Sequence, residues 1–130
     1  MKKILNIVVL LFLGTVVTAQ NKVDTYGYQV CDYNNIIDSY SDCKYDSTYK
    51  TRFVFNDSEN SFSHFTGDMQ STYSIDSTFT ELGRYIYYTT SNVGNKYLFI
   101  FDYEEEKVVY IYPIDGSYVI TTKIEIVNYN

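Results

Sequence analysis

The feature that most constrains this chain is the alternation of apolar and polar residues at every second position, in short segments separated by turn-forming residues. In the last such segment Tyr118, Ile120 and Ile124 share one face of an extended chain. Lys123 and Glu125 lie on the opposite face. No segment after residue 19 sustains the three-and-four spacing of an amphipathic helix over ten residues. The pattern therefore predicts an all-β fold.

About eight segments carry this pattern or are rich in β-branched and aromatic residues, which favour strands. The predicted strands are 23–31, 50–56, 61–66, 70–76, 84–90, 96–102, 107–113 and 118–126. Most of the connections are short, and Asp115-Gly116 is a strong two-residue hairpin signal. Because a parallel crossover needs a dozen or more residues, these connections predict antiparallel neighbours. Residues 32–49 fit less well, and we expect a short helix or an extra strand there.

The predicted fold is an antiparallel meander that forms one domain over residues 20–130. Such a meander can fold over as a sandwich or close as a barrel, and closure removes exposed edges next to very apolar strands. We therefore expect a closed or nearly closed barrel. The predicted core is Phe53, Phe55, Tyr73, Ile75, Ile86, Leu98, Ile100, Val109, Ile111, Ile120, Ile124 and Ile126. Several of these strands are apolar on both faces, so a one-residue error in phase exchanges inside and outside.

Residues 1–19 have the organisation of a secretory signal peptide. Lys2 and Lys3 precede an apolar run from Ile4 to Val17, and Ala19 ends a small-residue cleavage signal. The alternative is a retained membrane anchor, but about fourteen apolar residues are short for a helix that crosses ~30 Å of hydrocarbon. We expect cleavage after Ala19 and export to the periplasm or extracellular space of a bacterium. No transmembrane segment then remains.

Charge and cysteine content narrow the function classes further. Removal of two lysines leaves eight basic and sixteen acidic side chains, a formal charge of −8 that argues against nucleic acid as a partner. Cys31 and Cys43 lie twelve positions apart, a spacing that excludes a catalytic C-x-x-C pair. In an oxidising compartment they are expected to form a structural disulfide, the alternative being two buried thiols.

Few residues offer catalytic or metal-binding chemistry. His64 is the only histidine, it lies in a predicted strand, and no Gly-x-Ser-x-Gly motif accompanies it. A carboxylate-based hydrolase needs no histidine, but with sixteen acidic residues a suitable pair carries no information. The acidic cluster of Asp102 and the glutamates 104–106 is a candidate calcium site. Because side chains splay apart at a predicted hairpin tip, the pattern favours a solvated turn instead. We expect no enzyme activity, no metal and no cofactor.

Tyrosine is the most distinctive residue type, with 16 copies in a chain that has no tryptophan. Tyrosine combines an apolar ring with a polar tip and suits both core edges and binding surfaces. Most of these side chains are expected to fill or cover the β core. A subset on the strands between residues 84 and 118 is our candidate ligand-binding face: Tyr85, Tyr87, Tyr97, Tyr110 and Tyr112. The alternative inward set consists of the even-numbered partners such as Tyr88.

Three resemblances add expectations. The ending Val-Val-Thr-Ala-Gln at residues 16–20, before a short Tyr/Asn-rich β domain, resembles small exported proteins of Bacteroidota. The eight-stranded meander resembles lipocalin-like barrels. The segment Ser-Asn-Val-Gly-Asn-Lys-Tyr at 91–97 is similar to the Ser-Gly-x-Gly-x-(Lys/Arg)-Tyr loop of periplasmic inhibitors of C-type lysozyme. That likeness implies that Ser91 and Lys96 enter a lysozyme cleft, and an acidic chain suits a basic lysozyme.

The sequence thus predicts an exported, non-catalytic β domain that acts by binding an unknown small molecule, glycan or protein. The alternatives are a lysozyme-type enzyme inhibitor, a small hydrolase and a structural component of the envelope or matrix. An inhibitor should present Ser91 and Lys96 together on an exposed loop. A binding protein should instead have an aromatic-lined pocket.

Overall fold

A computed structural model describes residues 22–112 and 118–125, and within them the chain is built of eight strands. The strands are β1 (Lys22–Asn34), β2 (Ser39–Phe55), β3 (Ser61–Thr66), β4 (Met69–Glu81), β5 (Arg84–Ser91), β6 (Lys96–Asp102), β7 (Lys107–Tyr112) and β8 (Tyr118–Glu125). The predicted signal peptide, the Asp115-Gly116 turn and Ile126 lie outside the described residues.

The eight strands form one closed antiparallel barrel in chain order, which confirms the predicted fold class. Each strand pairs with the next, and β8 returns to pair with β1 from Asp24 opposite Glu125 to Asp32 opposite Tyr118. The turns at 56–60, 92–95 and 103–106 are as short as the sequence indicates. Closure pairs β1 with β8, the two strands that would be the exposed edges of an open sheet.

The segment 32–49 continues β1 and β2 as a long hairpin, so only residues 35–38 form a turn and no helix is present there. The expected disulfide is confirmed, since Cys31 and Cys43 are bonded across the hairpin with their Cα atoms 4.1 Å apart. Beyond it the rings of Tyr33 and Tyr40 pack edge to face at 5.5 Å. A polar sequence can form strands here because the disulfide and a cross-strand aromatic pair replace the missing apolar face.

The interior is filled by aromatic rings centred on Phe53, which is fully buried. Phe62, Phe101 and Phe99 surround it edge-on, with ring centroids 5.0–6.0 Å from its own. His64 stacks on it at 4.2 Å. Edge-to-face pairs at these distances are the favoured aromatic geometry and add to the free energy of burial. The barrel is therefore a packed core over most of its length, in which Val23, Phe55, Tyr73, Val108 and Tyr110 complete the buried cluster.

The predicted core is correct for β2 and β4 but wrong in phase for β5, β6 and β7. Phe53, Phe55 and Tyr73 are buried, and Ile75, Ile120 and Ile124 pack against the cluster as half-buried residues. On the other three strands the predicted residues are only half-buried and alternate with the true interior positions: Ile86, Leu98, Ile100, Val109 and Ile111. These strands are apolar on both faces, so alternation alone does not identify the inner face. The interior takes the large rings, and the aliphatic side chains lie outside.

A matched pair of substitutions on β6 tests this phase. Phe99→Ala should lower the free energy of unfolding by about 3–5 kcal/mol, because it removes a fully buried ring at the centre of the cluster. Leu98→Ala, one residue away on the outer face, should cost less than half as much. Urea unfolding followed by circular dichroism measures both. Equal costs for the two variants would contradict the assignment of Phe99 to the interior.

Removal of the disulfide tests its contribution to the long hairpin. The double substitution Cys31→Ala with Cys43→Ala should lower the free energy of unfolding by about 3 kcal/mol, because it releases a closed loop of about a dozen residues in the unfolded chain. The far-UV spectrum should remain that of a β protein, since the aromatic core does not involve either cysteine. A double variant as stable as the parent in urea would show that the bond adds nothing to stability.

Candidate functional site

One end of the barrel opens into a cavity of about 600 Å³. It lies where β1, β5 and the turn after β6 come together with the end of β2, and we call it the mouth cavity. Its lining residues are Lys22, Val23, Phe55, Glu59, Gly83, Tyr85, Tyr87 and Tyr103. Half of the lining residues are aromatic, namely Phe55 and the three tyrosines. Lys22 contributes a cation to the lining and Glu59 a carboxylate.

Strand alternation and the packing of one turn determine where the three tyrosines lie. Tyr85 and Tyr87 are two residues apart on β5, and alternation turns both toward the inside of the barrel. Tyr103 belongs to the turn between β6 and β7, and its ring packs edge-on against Tyr85 with centroids 5.6 Å apart. Tyr87 forms the floor with Phe55, at a centroid distance of 5.5 Å. Two strand positions and one turn position thus create a corner of aromatic surfaces.

Gly83 lies at the rim of the cavity and allows two turns to approach each other closely there. It occupies the turn between β4 and β5 with a φ of +79°, a left-handed conformation that glycine adopts without strain. A Cβ atom at this position would lie 2.6 Å from Cγ of Glu104, well inside van der Waals contact. The close approach brings the β4–β5 and β6–β7 turns together, so Tyr85 and Tyr103 meet.

The phenol groups of the cavity influence one another electrostatically. Burial raises the pKa of Tyr103 to about 12, and the neighbouring charges of Tyr85 and Glu59 raise it further in the same direction. Burial also raises the pKa of Tyr87, followed by the effects of Tyr103, Glu59 and Tyr85. Both phenols are therefore neutral at physiological pH, and the carboxylate of Glu59 lies close enough for its charge to act on both of them.

The structure brings only two of the five predicted ligand-binding tyrosines into this cavity, Tyr85 and Tyr87. Tyr97 packs at 5.0 Å against Tyr73 on the core, and Tyr110 is buried and stacks on Phe99 at 5.0 Å. Tyr112 ends β7, and its side chain is outside the described part of the structure. The four predicted tyrosines whose side chains are described face the interior, but Tyr97 and Tyr110 belong to the core packing.

Sequence reasoning missed Tyr103, Glu59 and Phe55 as members of the site. Tyr103 and Glu59 lie in turns that the composition marks only as solvated connections. Phe55 was predicted as core, and it does pack on the core cluster while also lining the cavity. Tyr103 carries one usable signal, since it is an aromatic residue at the start of an otherwise acidic turn.

Ser91 and Lys96, predicted from the inhibitor-like loop, point to different surroundings. The Ser91 side chain is buried, and its Oγ accepts the Asn95 backbone N–H at 3.0 Å, so it stabilises the turn. The Lys96 ammonium is exposed, donates to Thr90 Oγ1 at 2.6 Å and lies 3.4 Å from a carboxylate oxygen of Asp76. The loop does not present the two side chains together.

A hydrogen bond between its backbone and the Asp102 side chain stabilises the acidic turn after β6. Oδ1 of Asp102 accepts the backbone N–H of Glu105 at 3.0 Å, and Asp102 itself is buried. Among residues 22–112 and 118–125 no group of three or more histidine, cysteine or acidic side chains is arranged to hold a metal ion.

His64 is part of the core. Its ring is buried, stacks on Phe53 at 4.2 Å and meets Tyr110 edge-on at 5.7 Å. Burial lowers its pKa to about 4, so the imidazole is neutral at physiological pH. Its Nε2 has no hydrogen-bond partner in the described residues. The residue fills space in an aromatic stack and does not reach the mouth cavity.

A second, smaller depression of about 300 Å³ lies on the outside of the barrel, where β1 passes between β2 and β8. It forms around Gly27, whose φ of +63° marks a bulge in the pairing of β1 with both neighbours. The buried Thr122 hydroxyl donates to the backbone carbonyl of Gly27 and so stabilises this bulge. Three tyrosines, Tyr26, Tyr28 and Tyr45, also line it.

No protein family, curated protein or solved structure matches the chain. Residues 22–112 and 118–125 contain no helix that is long and apolar enough to cross a bilayer.

The buried histidine predicts a specific acid sensitivity. Because the pKa of His64 is about 4 in the folded protein and about 6.5 when unfolded, the unfolded chain binds an extra proton between these values. The free energy of unfolding should therefore fall as the pH drops below about 6.5. The loss attributable to His64 between pH 7 and pH 4.5 is about 2 kcal/mol.

His64→Phe is the matched variant, because it keeps an aromatic ring against Phe53 and removes the titrating group. Its urea midpoint should decrease less between pH 7 and pH 4.5 than that of the parent protein. An identical pH dependence in the two proteins would contradict burial of a neutral His64.

Proposed function

We propose that this chain is an exported binding protein and that its ligand is a small molecule held in the mouth cavity. The observation that carries the proposal is the cavity itself, about 600 Å³ with aromatic walls at one end of the barrel, next to the packed aromatic core. Sites for small molecules typically have volumes of ~300–1,000 Å³ and are lined mainly by apolar and aromatic groups with a few polar ones.

The packing of the barrel limits how deeply a ligand can enter. Below the cavity, Phe55 contacts Phe62 at 5.1 Å and Phe101 at 5.4 Å, and both of these rings are buried. A ligand therefore rests on Tyr87 and Phe55 and remains partly open to solvent between Tyr85 and Tyr103. This favours a compact ligand over a long acyl chain, which would need an empty barrel.

Two observations support export. The leader at residues 1–19 has the organisation of a signal peptide, and the Cys31–Cys43 disulfide is typical of proteins that mature in an oxidising compartment. An exported binding protein meets its ligand outside the cytoplasm.

A neutral fluorescent probe, N-phenyl-1-naphthylamine, tests the site without knowledge of the natural ligand. The protein should bind it saturably with a one-to-one stoichiometry and increase its fluorescence, because the cavity removes the probe from water. Tyr85→Ala and Tyr103→Ala should each weaken binding about tenfold, since each removes one aromatic wall.

Tyr88→Ala is the matched control, because Tyr88 lies on the outer face of β5 and is as exposed as Tyr85, 39% against 41%. It should leave probe affinity unchanged. The thermal midpoint is measured for all three variants to separate lost binding from lost folding. Failure of the parent protein to bind the probe saturably, or equal losses in Tyr85→Ala and Tyr88→Ala, would contradict a site in the mouth cavity.

A further inference from the structure

We infer that the mouth cavity selects a positively charged ligand, of the class of quaternary or methylated amines, which the tyrosine faces and the Glu59 carboxylate recognise together. This inference rests on the proposed function and names the chemical class of the ligand. It follows from the arrangement of rings and charges at the mouth.

The rings of the cavity are arranged as the adjacent walls of a cage. The planes of Tyr85 and Tyr103 meet at 80°, and those of Phe55 and Tyr87 at 46°. Rings at such angles present surfaces in several directions around one space, which a roughly spherical group such as trimethylammonium can fill. The negative face of each π-system attracts a cation, and desolvation strengthens the attraction.

The phenols support a cation and not an anion in this space. Tyr87 and Tyr103 are neutral phenols at physiological pH, so each contributes a ring with a negative face. Glu59 lines the same cavity, and its negative charge contributes, after burial, to raising the pKa of both phenols. This carboxylate and the ring faces attract a cation, whereas the charge of Lys22 on the same lining opposes it.

Glu59 is available for this role. Among residues 22–112 and 118–125 no cationic side chain lies within ion-pair distance of its carboxylate, although four other ion pairs occur there. Its backbone N–H donates to the carbonyl of Asn56, which holds the turn in place and leaves the side chain to the cavity. Lys22 lines the same cavity, and its charge opposes a bound cation.

The test compares two probes of the same shape. Choline carries a trimethylammonium group, and 3,3-dimethyl-1-butanol has a tert-butyl group in its place and no charge. Isothermal titration calorimetry at low salt should show choline binding at least about tenfold more tightly than the neutral alcohol. Added salt should reduce this difference, because part of it is the attraction to Glu59.

Charge variants test whether the preference for choline arises in the cavity. Glu59→Gln should weaken choline binding about fivefold and leave the neutral alcohol unaffected, while Lys22→Gln should strengthen choline binding. Glu105→Gln is the matched control: it removes the same charge from a turn at the same end of the barrel, from a residue that does not line the cavity. It should have no effect on either probe.

Ring variants separate the aromatic face from the hydroxyl group. Tyr85→Phe should retain the preference for choline, because the ring is unchanged, whereas Tyr85→Leu should lose most of it. Tyr85 is partly exposed, so both variants are expected to fold, and the thermal midpoint checks this.

The outcomes distinguish the two proposals. If N-phenyl-1-naphthylamine binds at the mouth but choline binds no better than the neutral alcohol, the inference about charge is overturned and the binding function stands. Equal losses of choline binding in Glu59→Gln and Glu105→Gln would also overturn it, because they would indicate attraction to net charge alone. If the fluorescent probe does not bind saturably, the proposed function itself fails.

Discussion

The structure depends on one constraint, which is that a closed eight-stranded barrel has an interior of limited width that side chains must fill. This chain fills it with a contiguous set of rings around Phe53, including Phe62, Phe99, Phe101 and the imidazole of His64. Large planar groups can pack edge to face across the barrel and so contact several strands at once. Burial of these rings stabilises closure, and closure in turn removes the edges that such apolar strands would otherwise expose.

The same constraint determines where a ligand can bind. The packed rings leave no room for a ligand among them, and the mouth cavity lies where this packing ends. At the mouth the last interior positions of β5 are Tyr85 and Tyr87, and Tyr103 approaches from the neighbouring turn. Tyrosine suits this boundary because its ring continues the core while its hydroxyl reaches water. The site is thus the exposed end of the aromatic cluster, and Glu59 adds a charge at its rim.

Closure of the sheet was expected only from the need to remove exposed edges, and the structure confirms it. Sequence reasoning predicted the class and the order of the strands because those depend on local features. Alternation, short turns and the scarcity of helical periodicity act within a few residues, and the Cys31–Cys43 pair follows from spacing and compartment. The inner face of β5 to β7 was predicted wrongly, since Leu98 and Phe99 are equally suited to burial by hydropathy. Steric fit inside the barrel decides between them, and hydropathy does not measure fit. Tyr103 was not predicted as a site residue, because its neighbours in sequence are acidic and solvated.

By itself the sequence determined that this protein is an antiparallel β meander with a Cys31–Cys43 disulfide and an excess of aromatic and acidic side chains. These properties follow from residue type and spacing along the chain. Only the tertiary structure decided which aromatic residues form core and which form a wall, and that Glu59 faces two phenols from a different turn. Such decisions depend on the register and curvature of strands far apart in sequence, because a cavity is bounded by residues that closure alone brings together.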